Sequence, residues 1–189
     1  MKGRKLLVGL AISAVTFAGL VGPVRAVTNV TTVYPEDMAT SFADVVANPE
    51  SWFFYNDEND TIDNTLGSFV QGPDVAPEGN GSVEISVSGT QRRNLATYQF
   101  SGTPLADITT LAFSTYNSSE GNAGSANRAG YLQFNVDFNG SDTWQRRLVF
   151  LPNDNGTVVQ DAWQEWSNSP TALWRYSGPV SYTHLTLPT

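Results

Sequence analysis

The chain contains no cysteine. Disulfides, thiolate nucleophiles and sulfur-bound metals are therefore excluded, and stability has to come from an ordinary packed core. Histidine occurs once, at His184 close to the C-terminal end, which leaves no basis for a Ser-His or His-zinc mechanism in the body of the chain. Lysine occurs only as Lys2 and Lys5. Beyond Ala26 the cations ahead of the C-terminal stretch are Arg92, Arg93, Arg128, Arg146, Arg147 and Arg175, set against all eighteen acidic residues. A surface of this sign repels nucleic acid and anionic lipid and favours cations or neutral ligands. A sustained helical period is missing, and so is any internal repeat of solenoid or propeller length.

What is present begins with Met-Lys-Gly-Arg-Lys, an apolar run over residues 6–21, and a Gly22-Pro23 break before Val24-Arg25-Ala26. This is the layout of a secretory signal peptide over residues 1–26, cleaved after Ala26. It implies a secreted, extracellular or cell-surface protein with no membrane insertion after cleavage; the run is at the lower limit for a membrane-spanning anchor. At the other end, residues 180–189 read VSYTHLTLPT, which resembles the translation of a sequencing-library transposon adapter. On that reading His184 is foreign to the protein, the domain is truncated at its C-terminus, and the natural chain continued past Pro179 into an anchor, a catalytic domain or only the closing strands.

Between these ends, residues 27–50 read as an extended lead-in with one helical turn stopped at Asn48-Pro49. Residues 51–179 read as a single domain built of short strands. Expected strands lie at 52–55, 66–70, 82–88, 95–100, 108–116 and 157–160, separated by Gly, Pro and Asn turns; residues 161–168 hold the Trp-Gln-Glu-Trp segment and residues 172–176 close the readable chain. The firmest expectation is a hairpin over residues 130–152. Leu132, Phe134, Val136 and Phe138 alternate with Tyr131, Gln133, Asn135 and Asp137, and Asn139-Gly140 follows as a turn signal before a second apolar run from Trp144 to Leu151. Many short strands without helices predict an all-β fold, an antiparallel β-sandwich of jelly-roll-like form.

Two kinds of site suit these residues. Asp57, Glu58, Asp60, Asp63 and Asn64 crowd one loop. Clustered carboxylates and amide carbonyls are calcium ligands, although the EF-hand spacing and its glycine are missing, so a solvated loop competes with a metal site at Asp57, Asp60, Asp63 and Asn64. Asp137, Asn139 and Asp142 form a weaker cluster of the same type. Sugar binding needs flat rings beside amides and carboxylates. The displayed row Tyr131, Gln133, Asn135 and Asp137, with Trp144, Trp163 and Trp166, offers that mixture, against the bland alternative of buried tryptophans and an ordinary polar strand face. Catalysis is reduced to a carboxylate mechanism, for which Glu165 between two tryptophans is the best candidate, since burial would raise its pKa. Six Asn-x-Ser/Thr sequons, among them Asn80, Asn117 and Asn139, are no more than an Asn-, Ser- and Thr-rich chain produces by chance.

The stretches SWFFYNDENDTIDNTLGSFVQGP, RRNLATYQFSGTPLADITTLAFSTYN, YLQFNVDFNGSDTWQRRLVFLP and WQEW resemble a group of secreted bacterial surface modules, similar in outline to carbohydrate-binding-module and lectin-like β-sandwiches. The resemblance spans residues 51–176. It implies the fold and the surface location, and it carries over no catalytic or binding residues. Ser167 stands where the group tends to have Asp. The expectation is thus a non-catalytic surface module that binds a polysaccharide or cell-surface glycan, with a structural calcium. The alternatives are an adhesive or structural domain without a small-molecule ligand, and a carboxylate-based glycan-active enzyme.

Overall fold

Alternation of apolar and polar residues puts most of this chain into antiparallel strands. The computed structural model describes residues 4–9, 32–79, 81–108, 110–120, 126–138, 140, 146–169, 171–177 and 182–185. The strands are β1 Arg4–Gly9, β2 Trp52–Asn56, β3 Thr61–Ile62, β4 Gly67–Val70, β5 Ser82–Val87 and β6 Arg93–Thr97, followed by β7 Ala112–Asn117, β8 Leu132–Val136, β9 Arg146–Phe150, β10 Trp163–Ser167, β11 Trp174–Ser177 and β12 Tyr182–Leu185. Among the described residues helix is confined to short pieces, chiefly α1 Phe42–Ala47 and α2 Pro152–Asn155. The protein is all-β. A five-stranded sheet has the order β10-β7-β1-β5-β4, a four-stranded sheet β12-β11-β9-β8, and a three-stranded sheet β3-β2-β6. None of the described helices is long and apolar enough to cross a membrane.

The core follows from which residues of each strand share a parity. Phe113 of β7 and Trp166 of β10 lie opposite one another in register, and they meet Leu148, Phe150 and Trp174 of the four-stranded sheet in one buried cluster. Phe113 and Phe150 pack edge to face at 5.3 Å, and Phe134 stacks on Trp174 at 5.7 Å. Each fully buried large side chain here contributes roughly 1.5–3 kcal/mol of burial free energy before its ordering entropy. A second cluster joins Phe54 of β2 to Val83 and Ile85 of β5. Gly67 is required there, because a Cβ at that position would sit inside the Phe54 ring. On the other face of β2, Phe53 packs on Val45 of α1. That helix is started by Ser41, whose hydroxyl accepts the Asp44 N–H at 3.2 Å, and it stops at Asn48.

Several expected strand limits are corrected. The 130–152 hairpin pairs β8 with β9, in register from Leu132 opposite Phe150 to Val136 opposite Arg146, while the expected Asn139-Gly140 turn falls on a connection whose residues 139 and 141–145 lie outside the described residues. Asp137 accepts the Gly140 N–H at 2.8 Å just beyond the end of β8. Phe138 accordingly leaves the strand, lies exposed, and sets its ring edge-on to Tyr176. Residues 105–107 form a 3-10 turn after Pro104, which delays β7 to Ala112. Backbone turns at Tyr98–Ser101 and Phe100–Thr103 end β6 early and expose Phe100. Residues 157–160 contribute only an isolated bridge, Gln160 to Asn117.

Both ends of the chain enter sheets. β1 comes from the stretch read as a leader, and its remaining residues, 1–3 and 10–26, lie outside the described residues. β12, from the stretch read as adapter-derived, pairs with β11 at the edge of the four-stranded sheet.

Candidate functional site

Register across the five-stranded sheet aligns Ser68 with Glu84, Glu84 with Leu7, Leu7 with Tyr116, and Tyr116 with Trp163. Because alternate residues of a strand face opposite ways, Glu84, Tyr116 and Trp163 share the face turned away from Val83, Phe113 and Trp166. Three connections reach over this face: residues 70–73 after β4, residues 118–120 after β7, and Asp161 just before β10. Together they form an open cleft of about 380 Å³ whose polar lining includes Gln71, Glu84, Tyr116, Glu120 and Asp161.

Each wall is fixed by identifiable bonds. The Trp163 indole N–H donates to the Pro73 carbonyl at 2.8 Å, and its ring lies edge-on to Tyr116 at 5.7 Å. The 70–73 wall turns at Gly72, whose φ of +98° is a conformation that side chains rarely adopt. Its carbonyl accepts the Ser82 hydroxyl at 2.6 Å. Across the cleft Asp161, itself at a φ of +59°, accepts the Ser119 N–H at 2.8 Å, while its own N–H donates to the Asn117 carbonyl at 2.9 Å. Hydrogen bonding from the Ser119 side chain and backbone holds the Asp161 carboxyl below the usual carboxylate range. Burial pushes the Tyr116 phenol up, with the charges of Asp161 and Asp74 adding to it. The cleft therefore combines a neutral phenol, the three carboxyl groups of Glu84, Glu120 and Asp161, an amide and hydroxyls on one pinned surface. Such a set can accept and donate hydrogen bonds to a polyhydroxylated, uncharged ligand.

The residues expected from sequence are distributed differently. Gln133 and Asn135 lie on the outward face of the four-stranded sheet, where the Gln133 amide N–H donates to Asn135 Oδ1 at 3.3 Å. Tyr131 and Asp137 flank that strand and are exposed. Trp163 occupies the outward face of the other sheet. This row belongs to the four-stranded sheet and Trp163 to the five-stranded one, and the structure does not bring them together. Trp166 is a core residue, 7% exposed, with its indole N–H bonded to the Thr115 hydroxyl at 2.9 Å. Trp144 lies outside the described residues, as do Asn139 and Asp142 of the second acidic cluster. Glu165 is exposed and faces away from Trp166, so the burial that would equip it as a general acid is not found.

The acidic loop is organised by arginines and local bonds. Asp57 pairs with Arg92 at 3.2 Å and Arg147 at 3.4 Å, and Glu58 pairs with Arg93 at 2.8 Å. Asp60 accepts the Tyr55 hydroxyl. Asp63 caps its own turn by accepting the Thr65 N–H and hydroxyl, which lowers its pKa. Asn64 is a structural pin, accepting the Phe54 N–H at 3.0 Å and donating to the Ala39 carbonyl at 2.8 Å. Among the described residues no group of three or more acidic or histidine side chains is arranged to hold a metal ion.

Sequence reading missed Glu84, Tyr116 and Asp161. The signal available for Glu84 and Tyr116 was their parity, opposite to the apolar Val83 and Phe113 of the same strands, and for Asp161 its place just before the Trp-Gln-Glu-Trp run. No family model, no curated protein and no solved structure matches this chain.

Proposed function

We propose that this chain is a secreted, non-catalytic surface module of carbohydrate-binding or lectin-like β-sandwich type, and that it holds an uncharged polysaccharide or cell-surface glycan in the cleft on the five-stranded sheet. The observation that carries this reading is the cleft itself. Tyr116, braced edge-on by Trp163, stands among Gln71, Glu84 and Asp161 on walls pinned by the Trp163–Pro73 and Asp161–Ser119 hydrogen bonds. The acidic surface supports a neutral ligand over an anionic one. The exposure of Glu165 supports binding over hydrolysis, since glycoside hydrolysis needs an acid of raised pKa close to a second carboxylate. Calcium stands outside the reading, because a cation at the acidic loop would have to displace Arg92 and Arg147 from Asp57.

The test is a glycan array probed with the full chain, followed by the variants Tyr116→Ala and Asp161→Asn. The expected result is binding to a neutral glycan that each variant weakens by more than about tenfold, equivalent to ~1.4 kcal/mol. No binding to any glycan by the wild-type chain overturns the proposal.

A further inference from the structure

The two faces of the three-stranded sheet are covered unequally. One face puts Phe54 and Leu95 against Val83 and Ile85 of β5. The other carries Phe53, Tyr55 and Ala96, and it packs on Ala39, on Val45 of α1 and on Ile62 of its own sheet. A helix of six residues covers only part of that face, and aromatic side chains emerge beside it. Ring centroids lie 5.9 Å apart from Tyr98 to Phe53, 6.2 Å from Phe53 to Phe42 and 6.1 Å from Phe42 to Tyr55. Phe42 is 41% exposed, Tyr98 43%, and Val46, one helical turn on from Phe42, 74%. Large apolar side chains gathered in this way on one face mark an interaction surface, whereas scattered single ones do not.

Charge and ring geometry define the partner. Residues 32–91 contain no lysine, arginine or histidine, yet they hold eleven of the eighteen acidic residues. Asp44, between Phe42 and Val46 in α1, accepts the Thr40 N–H at 3.1 Å and its hydroxyl at 2.8 Å, and Asp60 accepts the Tyr55 hydroxyl. Neither carboxylate has a cationic partner among the described residues, while Arg92 and Arg93 are taken up by Asp57 and Glu58. The aromatic pairs meet at angles between 69° and 88°, so they form no coplanar platform along which a sugar chain could stack. A guanidinium needs only one ring face and a nearby carboxylate. We infer that this face of the three-stranded sheet docks a basic, apolar segment of a partner protein, whose arginine lies against the exposed rings and pairs with Asp44 or Asp60 while its apolar neighbours cover Val46. The surface shares no residue with the lining of the glycan cleft.

The test is titration calorimetry of the full chain with the peptide acetyl-Leu-Arg-Leu-Arg-Leu-amide and with its citrulline counterpart, which keeps the shape and loses the charge. The arginine peptide is expected to bind saturably and at least about tenfold more tightly than the citrulline peptide. Asp60→Asn, Phe42→Ser and Val46→Ser are each expected to weaken it by more than about fivefold, at a melting temperature that shows the variant folded. Glu78→Gln, which removes an exposed charge elsewhere, is expected to leave it unchanged. No binding, equal binding of both peptides, or a loss with Glu78→Gln as large as with Asp60→Asn overturns the inference, the last by reducing it to diffuse attraction. Self-association that Val46→Ser abolishes, or loss of glycan binding in Phe42→Ser, also overturns it by giving the face to a second copy or to a sugar. The glycan array read on the same wild-type sample stands or fails separately.

Discussion

The indole N–H of Trp163 and the carbonyl of Pro73, ninety residues apart in sequence, meet at 2.8 Å. That bond ties an edge strand of the five-stranded sheet to the connection after β4, whose residues Gln71, Gly72 and Pro73 line the cleft. Trp163→Phe keeps a ring against Tyr116 but leaves the Pro73 carbonyl without this donor. The expected outcome is a modest loss of stability, on the order of 1 kcal/mol in a urea titration. Affinity for a glycan found on the array should fall together with it. Retained affinity would show that Trp163 has no part in the site.

Gly67 approaches Phe54 so closely that a methyl group has no room. Gly67→Ala should therefore destabilise the protein by about 1–3 kcal/mol, through displacement of the Phe54 ring from the Val83–Ile85 cluster. Combining it with Phe54→Leu should cost less than the two separate losses added together, and a double-mutant cycle by urea denaturation measures the difference.

Tyr55 donates its hydroxyl to Asp60, and its pKa is pushed up to about 12, first by burial and then by that bond. A raised pKa on an acid whose neutral form is favoured means a stabilising contribution that is complete below the ordinary tyrosine value of 10.0 and is lost as pH rises to about 12. Alkaline titration followed by circular dichroism should show stability declining across that window, and Tyr55→Phe should flatten the decline.

The ion pairs of Asp57 with Arg92 and Arg147 occupy the loop that sequence reading offered to calcium. Melting temperature is expected to be the same in millimolar calcium as in excess chelator. A rise with calcium would assign the loop to a metal, because a ligand that binds only the folded state raises stability by mass action.

How far the sequence could be read depends on the range of the forces involved. Strand parity is a local property, which is why the alternation of Leu132, Phe134 and Val136 against Tyr131, Gln133 and Asn135 already separated the core side of that strand from its outer side. Phe138 was misplaced because β8 ends at Val136, which leaves its side chain exposed beyond the paired residues. The all-β class followed from the same local signals. The cleft was not legible, because Glu84, Tyr116 and Asp161 are brought together by sheet order, and sheet order depends on pairings between distant residues. Trp166 and Trp163 carry identical local signals, and only the choice of packing partner sends one into the core and the other to the surface. The arginines that hold Asp57 lie in β9 and just before β6, so nothing within the acidic loop announced them.

Asn117, 1% exposed, donates its side-chain amide to the Ala126 carbonyl at 2.8 Å and heads the sequon Asn117-Ser118-Ser119. A cell that glycosylates such sequences does so before the chain has folded, and an oligosaccharide on this nitrogen could not be accommodated where the side chain finally rests. Manufacture of the protein in a eukaryotic secretory pathway should therefore divide it into two populations, a soluble one bare at this position and a retained one that carries sugar there, and mass spectrometry of the two fractions distinguishes them. The choice of expression host thus decides whether this chain can reach its native state.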